Sequence, residues 1–157
     1  MTTEMSTGTF EKLALFLKND VNAVKFCVGL MFLGHLVDDI IDKDVERTDE
    51  EINQAFLLAL GELPMNPFYQ AFQVQLAPMM MSTCLLWLNS NILERGNRDD
   101  RLTAFCIRNS LLNLIHFCMF LLGGTAWVRE QGPAFWRTFS LTYDKLDELQ
   151  LEEGQYA

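Results

Sequence analysis

Four acidic side chains crowd into one stretch that follows a long apolar run, Gly34-His35-Leu36-Val37-Asp38-Asp39-Ile40-Ile41-Asp42-Lys43-Asp44. On a helix, Asp38 and Asp42 lie four residues apart and Asp39 and Asp42 three apart, so their carboxylates share one face. His35 sits three and four residues upstream on the same side. Like charges at that spacing repel unless a cation joins them, and oxygen donors at the end of an apolar helix suit Mg²⁺. Acids at a helix C-terminus also oppose the macrodipole. Asp38, Asp39 and Asp42 are therefore candidate metal ligands. The same residues also read as a charged helix end facing water, and both readings stay open at this level.

A second polar segment is Asn91-Ile92-Leu93-Glu94-Arg95-Gly96-Asn97-Arg98-Asp99-Asp100. Asn91, Glu94 and Arg98 are spaced by three and four residues, which makes a polar stripe at the end of an apolar helix. Arg95, Arg98 and Arg101 form the densest basic group of the chain, and a diphosphate bridged through Mg²⁺ to carboxylates needs such cations on its other side. Asn91 and Glu94 are candidates for further metal ligands, and Arg95 and Arg98 for diphosphate binding. The bland alternative is a solvated helix end with a polar turn. A third set, Asn109, Asn113 and His116, falls at i, i+4 and i+7 on an otherwise apolar helix. Polar groups on such a face are costly without partners, so this stripe should border a ligand pocket or meet another polar face, such as the one bearing His35. Met79, Met80, Met81, Trp87 and Phe120 could line an apolar pocket or simply fill the core.

The stretch Leu36-Val37-Asp38-Asp39-Ile40-Ile41-Asp42 resembles the first aspartate-rich motif of class I isoprenoid (terpenoid) synthases, in particular the squalene and phytoene synthase branch. The resemblance implies an all-α bundle in which Asp38, Asp39 and Asp42 bind Mg²⁺ ions that hold a substrate diphosphate. The family carries a second metal motif on a facing helix, and Asn91 to Asp100 is the nearest match to it.

The elements that must position these groups are helical. A chain of 157 residues is sized for a single domain. With 50% hydrophobic and 21% charged residues it is too apolar for disorder. Apolar spacing predicts a short helix from Phe10 to Leu17, after a loose start over residues 1–9. It then predicts a central helix, apolar all round, over about residues 20–42, with Asp20 as its N-cap. Thr48 and Glu51 form a capping box for a helix that Gly61 should end. The two prolines of Leu63 to Phe68 predict a loop. A long helix follows from Phe68 to Arg95, kinked at Pro78 and closed by Gly96. Asp99 or Asp100 should cap the next, from Arg101 to Leu122, which Gly123-Gly124 closes. The last helix should start at Pro133 and reach about Leu151, ahead of an acidic tail over about residues 150–157. The expected architecture is an all-α bundle of about six or seven helices.

A formal charge of −9, from 12 basic and 21 acidic residues, argues against nucleic acid as a partner. Four cysteines without a CxxC pair, in apolar helices and with no secretory signal, read as reduced core residues of a cytoplasmic protein and fall short of a zinc site. No membrane span is expected. Phe26 to Val37 is too short, and Leu111 to Trp127 carries Asn113 and His116 near its middle. Three functions follow from these residues. The first is Mg²⁺-dependent binding or turnover of a small-molecule diphosphate, as in an isoprenoid synthase. The second is a non-catalytic helical module, in which a homodimer or larger homo-oligomer buries the apolar excess. The third is an all-α nucleotide pyrophosphohydrolase.

Overall fold

The computed structural model describes residues 7–43 and 45–140. Most of the expected loose start, the acidic tail, and the part of the last helix beyond residue 140 lie outside them. The described residues form an all-α structure without strands: α1 (Thr7–Phe16), α2 (Val21–Asp42), α3 (Asp49–Leu57), a π-helical turn (Leu58–Glu62), α4 (Leu63–Met65), α5 (Pro67–Leu93), α6 (Arg98–Arg108) and α7 (Ser110–Phe139).

Several local signals act as their chemistry dictates. The Asp20 side chain accepts from the Ala23 amide at 2.8 Å and opens α2. Thr48 and Glu51 form the reciprocal capping box of α3. Gly124 takes φ 67° and ψ −171°, a conformation that only glycine adopts readily, and breaks the helical path inside α7.

Other expectations need correction. Gly61 does not end α3, and the expected loop over residues 63–68 shrinks to Asn66. Pro64 lacks an amide to donate backward, and the chain meets this by widening into the π turn, where the Leu63 amide reaches the Leu58 carbonyl. Asn66 then caps α5 through the amides of Phe68 and Tyr69. In α5 the departure from helical dihedrals falls at Phe72, a turn and a half before Pro78. The cap of α6 is Asn97, in a capping box with Asp100, rather than either aspartate. Helix continues from Thr125 through Pro133, so no new helix starts at that proline. Among the described residues the helical segments run as five stretches, 7–16, 21–42, 49–65, 67–93 and 98–139, fewer than the six or seven helices expected.

The core lies where α1, the first half of α2, α5 and α7 meet. Leu13 and Leu17 pack with Val24 and Phe26, Leu76, and the α7 face of Leu114, Ile115 and Met119. Phe26 stacks on Tyr69 with ring centroids 5.6 Å apart, and Phe135 meets Phe16 edge-on at 5.6 Å. Gly29 permits a close approach: a Cβ there would come within 3.2 Å of the Leu58 and Leu63 side chains, so α2 lies hard against the π turn. Beyond Gly29, α2 is covered far less. Leu36 is buried, but Val37, Ile40 and Ile41 are exposed. The helix is therefore not the all-round enclosed element expected: Val21, Asn22 and Lys25 are exposed in its first half, and its buried side chains form one face.

Two helices, Pro67–Leu93 and Arg98–Phe139, are long and apolar enough to cross a membrane by length and composition. The first has no charged side chain.

Candidate functional site

α2 ends with Lys43 in the left-handed conformation, its amide bonded to the Asp39 carbonyl. The last turn therefore presents Asp38, Asp39 and Asp42 at fixed angles. The structure divides them. Asp39 accepts from Arg47, which reaches it through both Nε, at 2.8 Å, and a terminal nitrogen. Arg47 also pairs with Glu51 at 3.0 Å, so Asp39 is tied to the cap of α3. Asp38 and Asp42 turn instead toward α6, where the Arg108 guanidinium lies 3.4 Å from Asp38 and 3.8 Å from Asp42. The same guanidinium is 3.0 Å from Glu94 at the end of α5. One cation thus draws together two carboxylates of the first acidic segment and one of the second.

Arg108 arrives there because α6 packs back along α5. Mutual 3.4 Å hydrogen bonds between the hydroxyls and carbonyls of Thr83 and Ser110 fix that return. Burial pushes the Glu94 carboxyl above its ordinary range. Arg108 opposes this, and so to a smaller extent does Arg95, while Asp42 and Asp38 push in the same direction as burial. Asn91, one turn before Glu94, is 7% exposed, and its Oδ1 is buried with no hydrogen-bond partner. A buried acceptor left without a donor is costly, and a cation would relieve it.

Arg108 also lines a cleft of about 500 Å³ between α2, the π turn, α4, α5 and the start of α7, larger than the cleft of about 440 Å³ described below. Its walls are chiefly aliphatic, with Leu30, Leu33, Val37, Met80 and Leu111 among them, and Trp87 and Tyr69 add aromatic surface. The acidic cluster and this apolar cleft therefore meet at one side chain.

The remaining candidates are placed less centrally. Arg95 and Arg98 are exposed, and the cation that reaches the acids is Arg108. His35 is exposed and does not line either cleft. Asn109 turns its amide to the Phe105 carbonyl at 3.5 Å. Asn113 and His116 line the smaller cleft, about 440 Å³, together with Met79 and Phe120. The His116 ring packs against Phe135 and Trp136, and burial lowers its pKa. Of the polar stripe, Asn113 and His116 therefore border this cleft, whereas Asn109 lies just ahead of α7 and lines neither cleft. Met80 and Trp87 line the larger cleft, whereas Met81 is exposed.

Sequence reasoning passed over Arg108. The signal was present: it is the one charged residue between Arg101 and Arg129. A charge followed by a long apolar run must find counter-charge or water.

No family model, curated protein or solved structure matches the chain. What the site can do rests on its own geometry. Among the described residues, no three His, Cys, Asp or Glu side chains are drawn close enough to hold a metal ion as they stand. Arg108 lies among the three carboxylates that would have to close in. The donor chemistry nonetheless fits a hard cation: carboxylate oxygens from Asp38, Asp42 and Glu94, and the unpartnered amide oxygen of Asn91.

Proposed function

We propose that this chain binds a Mg²⁺-complexed diphosphate ester with an apolar tail, the headgroup at the acidic cluster and the tail in the larger cleft. The observation that carries the reading is Arg108, which contacts Asp38, Asp42 and Glu94 and also forms part of the cleft wall. A headgroup and a tail on one molecule need such a junction. Asp38, Asp42 and Glu94 would hold Mg²⁺, with Asn91 Oδ1 as a neutral fourth donor. Asp39, held by Arg47, would orient the end of α2 rather than ligate. Bound Mg²⁺ supplies charge neutralisation to the diphosphate oxygens. Arg108, displaced from its carboxylates by the metal, is a forked donor suited to the same oxygens.

The aliphatic walls favour a hydrocarbon tail over a nucleobase, and so favour an isoprenoid-type diphosphate over a nucleoside triphosphate. Thermal melting in Mg²⁺ tests this, with inorganic diphosphate, farnesyl diphosphate or ATP added in turn. A ligand that binds only the folded state at about 100 times its Kd adds about 2.7 kcal/mol. That amounts to roughly 5–10 °C in Tm for a chain of this size. The rise should need Mg²⁺, be greatest with farnesyl diphosphate, and vanish in the Asp38→Asn, Asp42→Asn double variant. Failure of Mg²⁺ with either diphosphate to raise Tm would sink the reading. A larger rise with ATP would transfer it to a nucleotide pyrophosphohydrolase.

A further inference from the structure

The face of α5 turned away from the core carries apolar residues at alternating steps of four and three: Val74, Pro78, Met81, Leu85, Leu88 and Ile92. All six are exposed, from 80% at Val74 and 72% at Ile92 to about half at Leu85 and Leu88. This is the 3.5-residue repeat of a coiled-coil seam, in which the next helix along supplies the partner surface. The opposite face of the same helix holds the buried Leu76 and Ser90 and the half-buried Thr83, again seven residues apart. The two faces are thus distinct, with Leu88 and the flanking Cys84 at the rim of the larger cleft, and among the described residues no other element covers the seam.

We infer that the seam of α5 is the interface of a homodimer, its occupant the α5 seam of a second copy of this chain. Three observations select that partner. A seam with a heptad repeat is complementary to a helix with the same repeat, and a second copy brings one by construction. The whole of α5 is free of charge, so two chains that each carry −9 meet here without setting acid against acid. Beside the seam stand Gln75, Ser82 and Asn89 on one flank and Ala77 and Cys84 on the other, all uncharged and exposed. The first three can hydrogen-bond across the pair, and the last two are small enough to let the helices approach. A lipid surface would leave Gln75, Ser82 and Asn89 facing hydrocarbon. The seam runs about 27 Å at 1.5 Å per residue, which belongs to a small, reversible interface.

Sedimentation equilibrium of the full chain from about 1 to 200 µM tests the inference. The expected result is a mass that doubles with concentration in this range. Met81→Glu, Leu85→Glu, with two charges in the middle of the seam, should stay monomeric to the highest concentration with unchanged helical circular dichroism. Val74→Lys, Ile92→Lys, at its ends, should weaken association at least tenfold and provides the second measurement if the first variant does not fold. A wild type that stays monomeric overturns the inference, and flotation of that monomer with phosphatidylcholine vesicles would give the face to a membrane. A dimer equally strong in both variants would also overturn it, because the contact would then lie elsewhere. None of these outcomes depends on the diphosphate site, whose residues the variants leave intact.

Discussion

Replacing Arg108 with Gln removes the cation that three carboxylates share, at 3.0 Å from Glu94, 3.4 Å from Asp38 and 3.8 Å from Asp42. An exposed pair contributes about 0.2–1 kcal/mol. The four side chains here keep only between 17% and 35% of their surface in water, so the upper half of that range applies. Three pairs then amount to about 2 kcal/mol, which corresponds to a fall of roughly 4–8 °C in Tm at low ionic strength. The loss should shrink by at least half in about 0.5 M NaCl, where charges are screened over a few ångströms. Arg108→Lys should lose less than Arg108→Gln, since it keeps the charge and forfeits only the fork. The pH dependence has a definite sign. Without Arg108, the Glu94 carboxyl, already raised by burial, rises further. The folded state then holds this proton more tightly than the unfolded chain does. The deficit is therefore full at neutral pH and fades as pH falls through the folded pKa toward the ordinary carboxylate range. Melting followed at 222 nm, in low and high salt and at pH 5 and 7.5, measures all of this. A fall of under about 1 °C at low salt, or an equal fall at both salt concentrations, would show that the guanidinium is held by packing and that no charge cluster exists there.

Other consequences follow from single residues. Thr48→Ala removes the hydroxyl that accepts from the Glu51 amide and should cost about 1 kcal/mol in chemical denaturation, with the change confined to amides near the start of α3 in hydrogen exchange. Gly124→Ala meets no neighbouring atom yet should cost roughly 1–3 kcal/mol, because φ 67° with ψ −171° is closed to alanine. A near-neutral result would mean that α7 is free to straighten. His116, with its pKa lowered by burial, should contribute stability that is complete above about pH 6.5 and is lost as pH falls below that value. His116→Phe should flatten this part of the pH–stability curve. An unchanged curve would place the titration elsewhere.

How much of this was legible without coordinates depended on the range of the interaction. Thr48 with Glu51 and Asp20 with Ala23 are contacts within one turn, and backbone geometry alone brings such residues together. The acidic crowding of Asp38, Asp39 and Asp42 followed from helical spacing in the same way, and so did the all-α class. Where two local signals competed, reading along the chain failed. Gly61 and Pro64 both announce an end, yet Leu58 and Leu63 pack against Gly29, and the helix widens by one residue rather than stopping. Tertiary burial outweighed local propensity there.

The sequence by itself decided which residues carry charge, that they repel at helical spacing, and that α5 is apolar without a single acidic or basic side chain. It could not decide which carboxylate answers to which cation. Arg47 takes Asp39, and Arg108 takes Asp38, Asp42 and Glu94, because α6 folds back on α5 and brings residue 108 to residue 38. Nor could it decide that the heptad of α5 faces outward, since periodicity marks an apolar face without saying what covers it. Contacts across tens of residues depend on how whole helices pack, and only the assembled fold contains that information.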